Sequence, residues 1–277
     1  MKTIVTHLSV DLDSITSCWL IKRFLPGWSK AIVKFVPAGS TLNSQPPDEK
    51  KEVIHVDTGL GRFDHHQTRD YTCATKLMYE FLVEKHYLDH KLIAPLDRVT
   101  CHVNDIDHFA EVNFHDPTAD CYDFSLHQLI EGLRATLRTD QKIIEVSFQL
   151  LDSVLHIFRK KIKAESDLLR GFTFRSKWGK AIAFETINED SIRLALKSGY
   201  SLALRKDPEK KSVRIKTLPD KRIDLTPIYE KIKKIDKRGS WFLHISKNML
   251  LNGSSTNPNF IPTGLSLKKL IEIISQI

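Results

Sequence analysis

The chain has 277 residues, 41% hydrophobic and 27% charged, with 11 glycines and 11 prolines, which excludes a disordered, collagen-like or coiled-coil protein. No apolar run approaches the roughly 20 residues of a membrane helix, and Asp11 and Asp13 interrupt the first apolar stretch, so we expect a cytoplasmic protein without a membrane partner. The net charge of +8 arises in the C-terminal part, because residues 171–277 hold 21 basic against 10 acidic residues and residues 1–120 hold 13 against 17.

Strands and helices alternate in the N-terminal part. MKTIVTH predicts a strand, and SITSCWLIKRFL predicts a helix with Asp13 or Ser14 as its N-cap. AIVKFVPAG and EVIHVDTG predict two buried strands, because their β-branched runs end in Gly-containing turns. TCATKLMYEFLVEKHYL predicts a helix, and KLIAPLDRVTCHVNDIDHF predicts another that runs into an acidic loop. This alternation predicts an α/β fold with a doubly wound, mostly parallel sheet.

A long helical stretch follows, in which apolar residues recur at spacings of three and four: Phe148, Leu151, Leu155, Phe158 and Ile162. Beyond it, GKAIAFETI, YSLALRK and SVRIKTL predict strands, LTPIYEKIKKID predicts a helix capped by Thr226, and GLSLKKLIEII predicts the last helix. We therefore expect a domain over residues 1–124, a long helical connector over 125–168, and a second, smaller α+β domain over 169–277.

Four clusters of acidic residues and histidines lie in the first part of the chain. They are T-H-L-S-V-D-L-D-S with His7, Asp11 and Asp13; H-V-D-T-G with Asp57; R-F-D-H-H-Q with Asp64, His65 and His66; and V-N-D-I-D-H-F with Asp105 and Asp107. The first two clusters follow predicted strands, and ligands of open α/β sheets bind beyond the carboxyl ends of the strands. We therefore expect the clusters to converge there.

The chemistry of these residue types is that of a metal site. Mixed imidazole and carboxylate ligands suit divalent ions such as Mn²⁺, and one carboxylate can bridge two ions about 3.5–4 Å apart. Alternate residues of an extended loop point to opposite sides, so Asp11 and Asp13 would face two neighbouring cations. Taken alone, each residue has a simpler role: Asp11 and Asp13 could cap the next helix, Asp57 could belong to a turn, and the paired histidines could be surface residues. The joint occurrence of the clusters carries the prediction.

Residues 1 to about 110 resemble the DHH phosphoesterase superfamily, which includes RecJ-type nucleases, oligoribonucleases, cyclic-dinucleotide phosphodiesterases and manganese-dependent inorganic pyrophosphatases. FDHHQ resembles the Myg-type 3′-5′ exonuclease branch. The resemblance implies two Mn²⁺ ions, with Mg²⁺ as the alternative, of which one is bound by His7 and Asp11, the other by Asp13 and His65, and both by Asp57. For the fourth cluster, the resemblance implies that Asp107 binds the second ion, with Asp105 as the alternative.

The resemblance also implies roles for residues outside the metal ligands. Asp64 would orient a histidine, and His66 would contact the scissile phosphate. DHH enzymes carry a second domain that holds the substrate, and the basic C-terminal part would take that place. Its candidate substrate-binding residues are His244, Lys247, Gly253, Ser254, Arg205 and Arg214. A plain turn at Gly253 and a solvated basic face at the arginines remain open alternatives.

The function that the resemblance implies is a two-metal-dependent phosphodiesterase. Residues 1–124 would be its catalytic domain and residues 169–277 its substrate-binding domain. It would hydrolyse nucleic acid, in particular single-stranded nucleic acid, or short oligonucleotides in an exonuclease-like manner. The nucleophile would be a metal-bridging hydroxide. One alternative is a hydrolase of small phosphates such as pyrophosphate, polyphosphate or a nucleotide. Another is a non-catalytic nucleic-acid-binding protein of the DHH fold.

Overall fold

The computed structural model describes residues 1–47, 49–253, 257 and 259–277. The chain forms two compact units, Met1–Arg159 and Lys160–Ile277. Among the described residues, no helix is long and apolar enough to cross a membrane. We call Met1–Arg159 the first unit and Lys160–Ile277 the second unit.

The first unit contains a three-stranded parallel sheet in the order β2-β1-β3. Its strands are β1 (Thr3–His7), β2 (Ile32–Val36) and β3 (Val53–His55). Its helices are α1 (Leu12–Phe24), α2 (Ala74–Glu84), α3 (His90–Asp107), α4 (Leu126–Thr136) and the first part of α5 (Asp140–Arg170). Because β1 and β3 run in parallel, with Val5 opposite His55, the residues that end or follow them meet at one edge of the sheet.

The start of α1 differs from the prediction that placed the N-cap at Asp13 or Ser14. The N-cap is Asp11, because its Oδ1 accepts a hydrogen bond from the Ser14 amide at 2.9 Å and its own amide donates to Ser14 Oγ at 2.9 Å. These reciprocal bonds form a capping box. Asp13 therefore lies in the first helical turn, and the expected extended loop through Asp11 and Asp13 is wrong.

Two further helices differ in extent from the predicted ones. The acidic stretch into which the predicted helix was expected to run is itself helical, because α3 continues through Asp105 to Asp107. The stretch over 125–168 contains two helices, α4 and α5, separated by residues 137–139. Phe148, Leu151 and Leu155 of α5 belong to the core of the first unit, and the boundary between the two units falls within this helix.

The second unit contains a six-stranded mixed sheet in the order β4-β5-β6-β7-β9-β8. Its strands are β4 (Phe172–Ser176), β5 (Gly179–Glu185), β6 (Leu202–Lys206), β7 (Val213–Thr217), β8 (Trp241–Leu243) and β9 (Met249–Asn252). Its helices after α5 are α6 (Asp190–Lys197), α7 (Thr226–Ile235) and α8 (Leu267–Ser275). The parallel sheet of the first unit and the mixed sheet of the second confirm the predicted fold class.

The N-terminus of α7 corrects one prediction. The N-cap is Leu225, and Thr226 is the first helical residue instead of the cap. The Asp224 carboxylate accepts a hydrogen bond from the Thr226 amide at 2.8 Å and so satisfies the first free donor of the helix.

Candidate metal centre

All four sequence clusters contribute to one cavity of the first unit, with a volume of about 310 Å³. The cavity lies at the edge of the sheet where β1 ends and the chain leaves β3. Its polar lining consists of His7, Asp11, Asp57, Asp64, His66 and Asp107. The structure thus brings together residues that lie as much as 100 positions apart in the sequence.

Asp57 occupies the middle of this arrangement. Its backbone is in the left-handed region, with φ of 56°, and its amide donates to the Phe63 carbonyl at 2.9 Å. The buried carboxylate places Oδ2 at 3.1 Å from His7 Nε2 and Oδ1 at 3.4 Å from His65 Nε2. The two oxygens of one side chain therefore face histidines from two different clusters.

In the part of the chain that the structure describes, three groups of side chains have ligand atoms within 4.8 Å of one another. One contains His7, Asp11 and Asp57, the second contains Asp13, His65 and Asp107, and the third contains Asp57, His65 and His66. In the second group, His65 Nε2 lies 4.0 Å from Asp13 Oδ2 and 3.6 Å from Asp107 Oδ2. Because Asp57 and His65 each belong to two groups, the groups form one continuous cluster.

Asp13 is held by the start of α2, a contact that the sequence did not predict. Its buried carboxylate accepts hydrogen bonds from the amides of Ala74 and Thr75, each at 2.8 Å. These amides lie in the first turn of α2, where backbone donors have no partner within the helix. Asp13 therefore joins two helices and is fixed on the side of the cluster that contains His65.

Asp64 contacts His66. Its Oδ1 accepts a hydrogen bond from His66 Nδ1 at 2.6 Å, and its Oδ2 accepts one from the Leu60 amide at 2.7 Å. Burial alone would raise the pKa of Asp64, but these hydrogen bonds outweigh it and lower the pKa. The bond at Nδ1 leaves Nε2 of the exposed His66 ring available for another partner.

The two acidic residues of the fourth cluster have different partners. Asp107, at the end of α3, lies against His65. Asp105 instead accepts a hydrogen bond from the Tyr71 hydroxyl at 2.9 Å. Of the two alternatives that the sequence left open, Asp107 is the residue that lies in the cluster.

The charges of the cluster shift several pKa values. Burial lowers the pKa of His7, but the hydrogen bond to Asp57 and the charge of Asp11 outweigh it and raise that pKa to about 9. The hydrogen bond to Asp57 also raises the pKa of His65 to about 9. Burial raises the pKa of Asp57, but hydrogen bonds from the two histidines outweigh it and lower that pKa to about 2. Burial and the charges of Asp57 and Asp107 raise the pKa of Asp13 to about 8.

These residues fit divalent cations. Asp13, Asp57 and Asp107 bring three carboxylates around His65, and a cation among them would offset their mutual repulsion. His7 is also oriented as a ligand: a carbonyl only accepts, so Nδ1 donates to the Leu8 carbonyl at 2.8 Å and Nε2 faces the carboxylates. Oxygen and imidazole ligands in this mixture suit Mn²⁺ and also accept Mg²⁺.

Three of the predicted substrate-binding residues line a cavity of about 400 Å³ in the second unit: Arg205, Arg214 and Gly253. Arg205 and Arg214 lie directly opposite each other on β6 and β7. The Glu189 carboxylate is paired with both guanidinium groups, and Asp207 lies 3.3 Å from Arg205. Among the described residues, neither arginine Nε has a hydrogen-bond partner. The two arginines thus line the cavity with their guanidinium groups already paired to carboxylates.

The other predicted substrate-binding residues lie elsewhere. His244 and Lys247 belong to the turn between β8 and β9, whereas Gly253 follows the far end of β9. Lys247 Nζ donates to Asp224 at 2.9 Å, and His244 Nδ1 contacts Ser246 Oγ at 2.8 Å. The structure thus does not bring these two residues to the arginine pair. Ser254 lies outside the described residues.

Comparison with known families places the chain. The family profile described as the C-terminal domain of ChrB matches residues 4–158, which is more than half of the chain. The chain belongs to this family. The match includes every residue of the metal cluster. No curated protein matches the sequence.

Solved structures give only weak likenesses. An uncharacterized protein from Helicobacter pylori G27 is 15% identical, with 100% of this chain and 99% of that chain covered and a TM-score of 0.28. RecJ from Thermus thermophilus in complex with Mg²⁺ is 12% identical, with 99% and 49% covered and a TM-score of 0.32. The DHH domain of a member of the S1p family of ribosomal proteins is 10% identical, with 99% and 86% covered and a TM-score of 0.33. The chain spans about half the length of the Thermus thermophilus RecJ. Because all three TM-scores are low, these similarities support no conclusion about function.

Proposed function

We propose that the protein is a metal-dependent phosphoesterase of the DHH type that hydrolyses single-stranded nucleic acid or short oligonucleotides. The observation that carries this proposal is the position of Asp57, whose oxygens lie 3.1 Å from His7 and 3.4 Å from His65. One carboxylate thereby serves two adjacent groups of ligand atoms, which is what a bridging ligand of a two-metal site does.

The ligand groups divide between two ions. His7, Asp11 and Asp57 would hold the first, and the second would be held by Asp57, Asp13, His65 and Asp107. When bound, two divalent cations would polarise a phosphoryl oxygen and would lower the pKa of a water held by them. Hydroxide would then be available at neutral pH. The chain's own contribution is to fix the ligands: α1 and α2 hold Asp13 from both sides, and the Leu8 carbonyl fixes the ring of His7.

His66 would contact the substrate phosphate. Its side chain is 59% exposed, whereas that of its partner Asp64 is buried. Asp64 accepts the proton of Nδ1 and leaves Nε2 free, and in the imidazolium form of the ring Nε2–H would donate to a phosphate oxygen. Asp64 is thus a positioning residue, and His66 is the residue that touches the substrate.

The basic surplus of the second unit supports a polyanionic substrate. Residues 171–277 carry 11 more basic than acidic residues. The arginine pair at Arg205 and Arg214 offers guanidinium donors, which bind phosphate groups well. The half-buried His244 and the exposed Lys247 would then contact other phosphates of the same strand. A strand with several phosphates can contact more of these basic side chains than pyrophosphate can.

The experiment that tests the function compares substrates and metals. The full-length protein is incubated with a labelled single-stranded oligonucleotide and, separately, with pyrophosphate, in Mn²⁺, in Mg²⁺ and in EDTA. We expect shortening of the oligonucleotide in Mn²⁺ that is lost in EDTA. Asp107→Asn should lower the rate at least about 100-fold, because it removes a metal ligand, whereas Asp123→Asn, an exposed control on the same unit, should not.

Two results would contradict the proposal. One is an absence of oligonucleotide hydrolysis in every divalent metal, and the other is full activity of the folded Asp107→Asn protein. Release of orthophosphate from pyrophosphate without any cleavage of oligonucleotides would replace the proposal with a hydrolase of small phosphates.

A further inference from the structure

A second cavity of the first unit, of about 240 Å³, lies between α2 and α3. It adjoins the candidate metal centre through the last turn of α3, because Asp105 lines this cavity and Asp107 lines the centre. Two tyrosines, Tyr71 and Tyr79, also line it. None of the roles assigned above uses this cavity.

Tyr71 is exposed but held in place. Its residue surface is 52% exposed, so it contributes little to the core. Its hydroxyl donates to Asp105 at 2.9 Å, and its ring centroid lies 4.1 Å from that of His108 with the planes 40° apart. His108 is itself fixed, because its Nδ1 donates to the Asn104 carbonyl at 2.9 Å. An aromatic face that is both exposed and immobilised is suited to stacking on a flat ligand.

This aromatic face is close to the metal ligands. His108 directly follows Asp107, and its ring centroid is 6.4 Å from that of His65, which belongs to the ligand cluster. The rings of His65, His108 and Tyr71 thus form a row that leads from the cluster into the second cavity. The neighbouring group of a substrate whose phosphate lay at the cluster would be within reach of these rings.

Two buried polar atoms of the lining have no hydrogen-bond partner among the described residues. They are Thr100 Oγ1 and Asn104 Oδ1, in residues that are 3% and 4% exposed. The two residues are one turn apart on α3, and both line the cavity. Buried polar groups in native proteins are normally paired, so these two atoms are unsatisfied polar groups within the wall of the cavity.

The charge of the lining selects the kind of ligand. Glu80, Asp97 and Asp105 provide carboxylates, against the single ammonium group of Lys76, which donates to the Tyr71 carbonyl at 3.1 Å. The net negative charge disfavours a phosphate in this cavity. The excess of acceptors favours a ligand that carries N–H donors, as an amino group does.

We infer that this cavity binds the nucleobase next to the scissile phosphate, with Tyr71 stacked on the base. The preferred bases are those with an exocyclic amino group, such as cytosine and adenine, because the lining is rich in acceptors. This inference rests on the proposed function and adds the part of the substrate that the metal cluster does not recognise.

Kinetics with and without bases test the stacking. Tyr71→Ala should raise KM for an oligocytidylate about tenfold, the lower range for loss of base stacking, while kcat stays unchanged. It should leave KM unchanged for an abasic strand of the same length. Tyr71→Phe should restore most of the affinity, because the ring remains. The matched control is Tyr87→Ala, which removes another partly exposed tyrosine of the first unit and should have no effect.

A binding measurement keeps the inference testable if no cleavage occurs. The fluorescence anisotropy of a labelled oligocytidylate is measured in EDTA with the wild-type protein and with Tyr71→Ala. We expect weaker binding by the variant for the oligocytidylate and equal binding for the abasic strand. Wild-type protein should also bind oligocytidylate more tightly than oligouridylate.

The outcomes separate the two proposals. Unchanged binding by Tyr71→Ala, or an equal loss for the abasic strand, overturns the stacking role. Equal wild-type affinity for oligocytidylate and oligouridylate overturns the preference for an amino group. Failure of the proposed function looks different: the wild-type protein then cleaves no oligonucleotide in any metal, while the anisotropy measurement still decides the role of Tyr71.

Discussion

Asp57 adopts a backbone conformation that few residue types tolerate. Its φ of 56° lies in the left-handed region, where Asp and Asn are among the residues that occur most readily. This turn directs the carboxylate between His7 and His65 instead of along the strand direction. A single residue therefore connects the two halves of the cluster, and its loss should affect both.

The first prediction concerns Mn²⁺ binding by Asp57→Asn. We expect the wild-type protein to bind two Mn²⁺ ions per chain in calorimetric titration. The variant should lose at least about 100-fold in affinity at both sites, because each loses a charged ligand. Asp123→Asn serves as the control and should bind like the wild type. Wild-type affinity in Asp57→Asn would exclude a bridging role.

The second prediction separates positioning from metal binding. Asp64→Asn keeps the size of the side chain but weakens its contact with His66 Nδ1. We expect kcat for an oligonucleotide to fall about 10- to 100-fold, the usual cost of losing a residue that orients a catalytic-site histidine. Mn²⁺ affinity should remain near that of the wild type. A loss of Mn²⁺ binding larger than the loss of kcat would instead make Asp64 a metal ligand.

At the scale of helices and strands, the first cluster serves structure and site together. One Asp11 oxygen caps α1, and the other lies 3.6 Å from His7. Asp13 caps α2 while belonging to the ligand group of His65. The capping role and the metal role, which the sequence presented as alternatives, are therefore compatible in one geometry.

The sequence predicted part of this arrangement for a physical reason. The spacing of His7, Asp11 and Asp13 after a strand is local, so it could be read directly from the chain. The contact of Asp13 with the amides of Ala74 and Thr75 depends on how α1 packs against α2, 61 residues later. Side-chain periodicity does not encode that contact, and neither does it encode the turn of Asp57 into the left-handed region.

The third prediction concerns Asp236, which joins several elements of the second unit. It follows α7 and accepts hydrogen bonds from the Gly239 amide, from Trp241 Nε1 on β8 and from Thr263 Oγ1, at 3.0, 2.8 and 2.6 Å. Burial raises the pKa of Asp236, but these three bonds outweigh it, and the pKa is lowered. The ionised side chain therefore stabilises the folded state.

The sign of this effect fixes the pH range. A lowered pKa contributes stability above the ordinary carboxyl pKa of about 3.9, and the contribution is lost as pH falls through the lower folded-state value. Asp236→Asn should cost about 1–3 kcal/mol at pH 7. The difference from the wild type should shrink below about pH 4. Urea denaturation at pH 7 and at pH 3 measures both, and a difference that does not change with pH would contradict this account.

At the scale of the whole molecule, the alternation of strands and helices was enough to predict the fold class. The apolar stripe of α5 continues from Leu151 to Ile162, so nothing in its spacing marks the boundary at residues 159 and 160. The sheet order of the second unit was also out of reach, because β5 and β6 pair in parallel across the intervening α6. Strands β6 and β7 were predicted, because the alternation of YSLALRK and SVRIKTL is local.

The fourth prediction concerns how salt weakens the binding of an oligonucleotide to the basic second unit. Binding of a single-stranded oligonucleotide should weaken linearly in a plot of log affinity against log salt, because phosphate contacts release counterions. Arg214→Gln should reduce the slope by about 0.7, the value for one phosphate contact of a single strand. The control is Arg222→Gln, an exposed arginine whose partner is Asp220. Equal slopes for the wild type and Arg214→Gln would remove Arg214 from the binding surface.

The central claim is that four separate sequence clusters build one site for two cations. Crystals grown with Mn²⁺ and measured at the manganese absorption edge test it directly. We expect two anomalous peaks about 3.5–4 Å apart, one against His7 and Asp11, the other against Asp13, His65 and Asp107, with Asp57 bound to both. An absence of peaks there at saturating Mn²⁺, or one peak that Asp57 does not contact, would contradict the account.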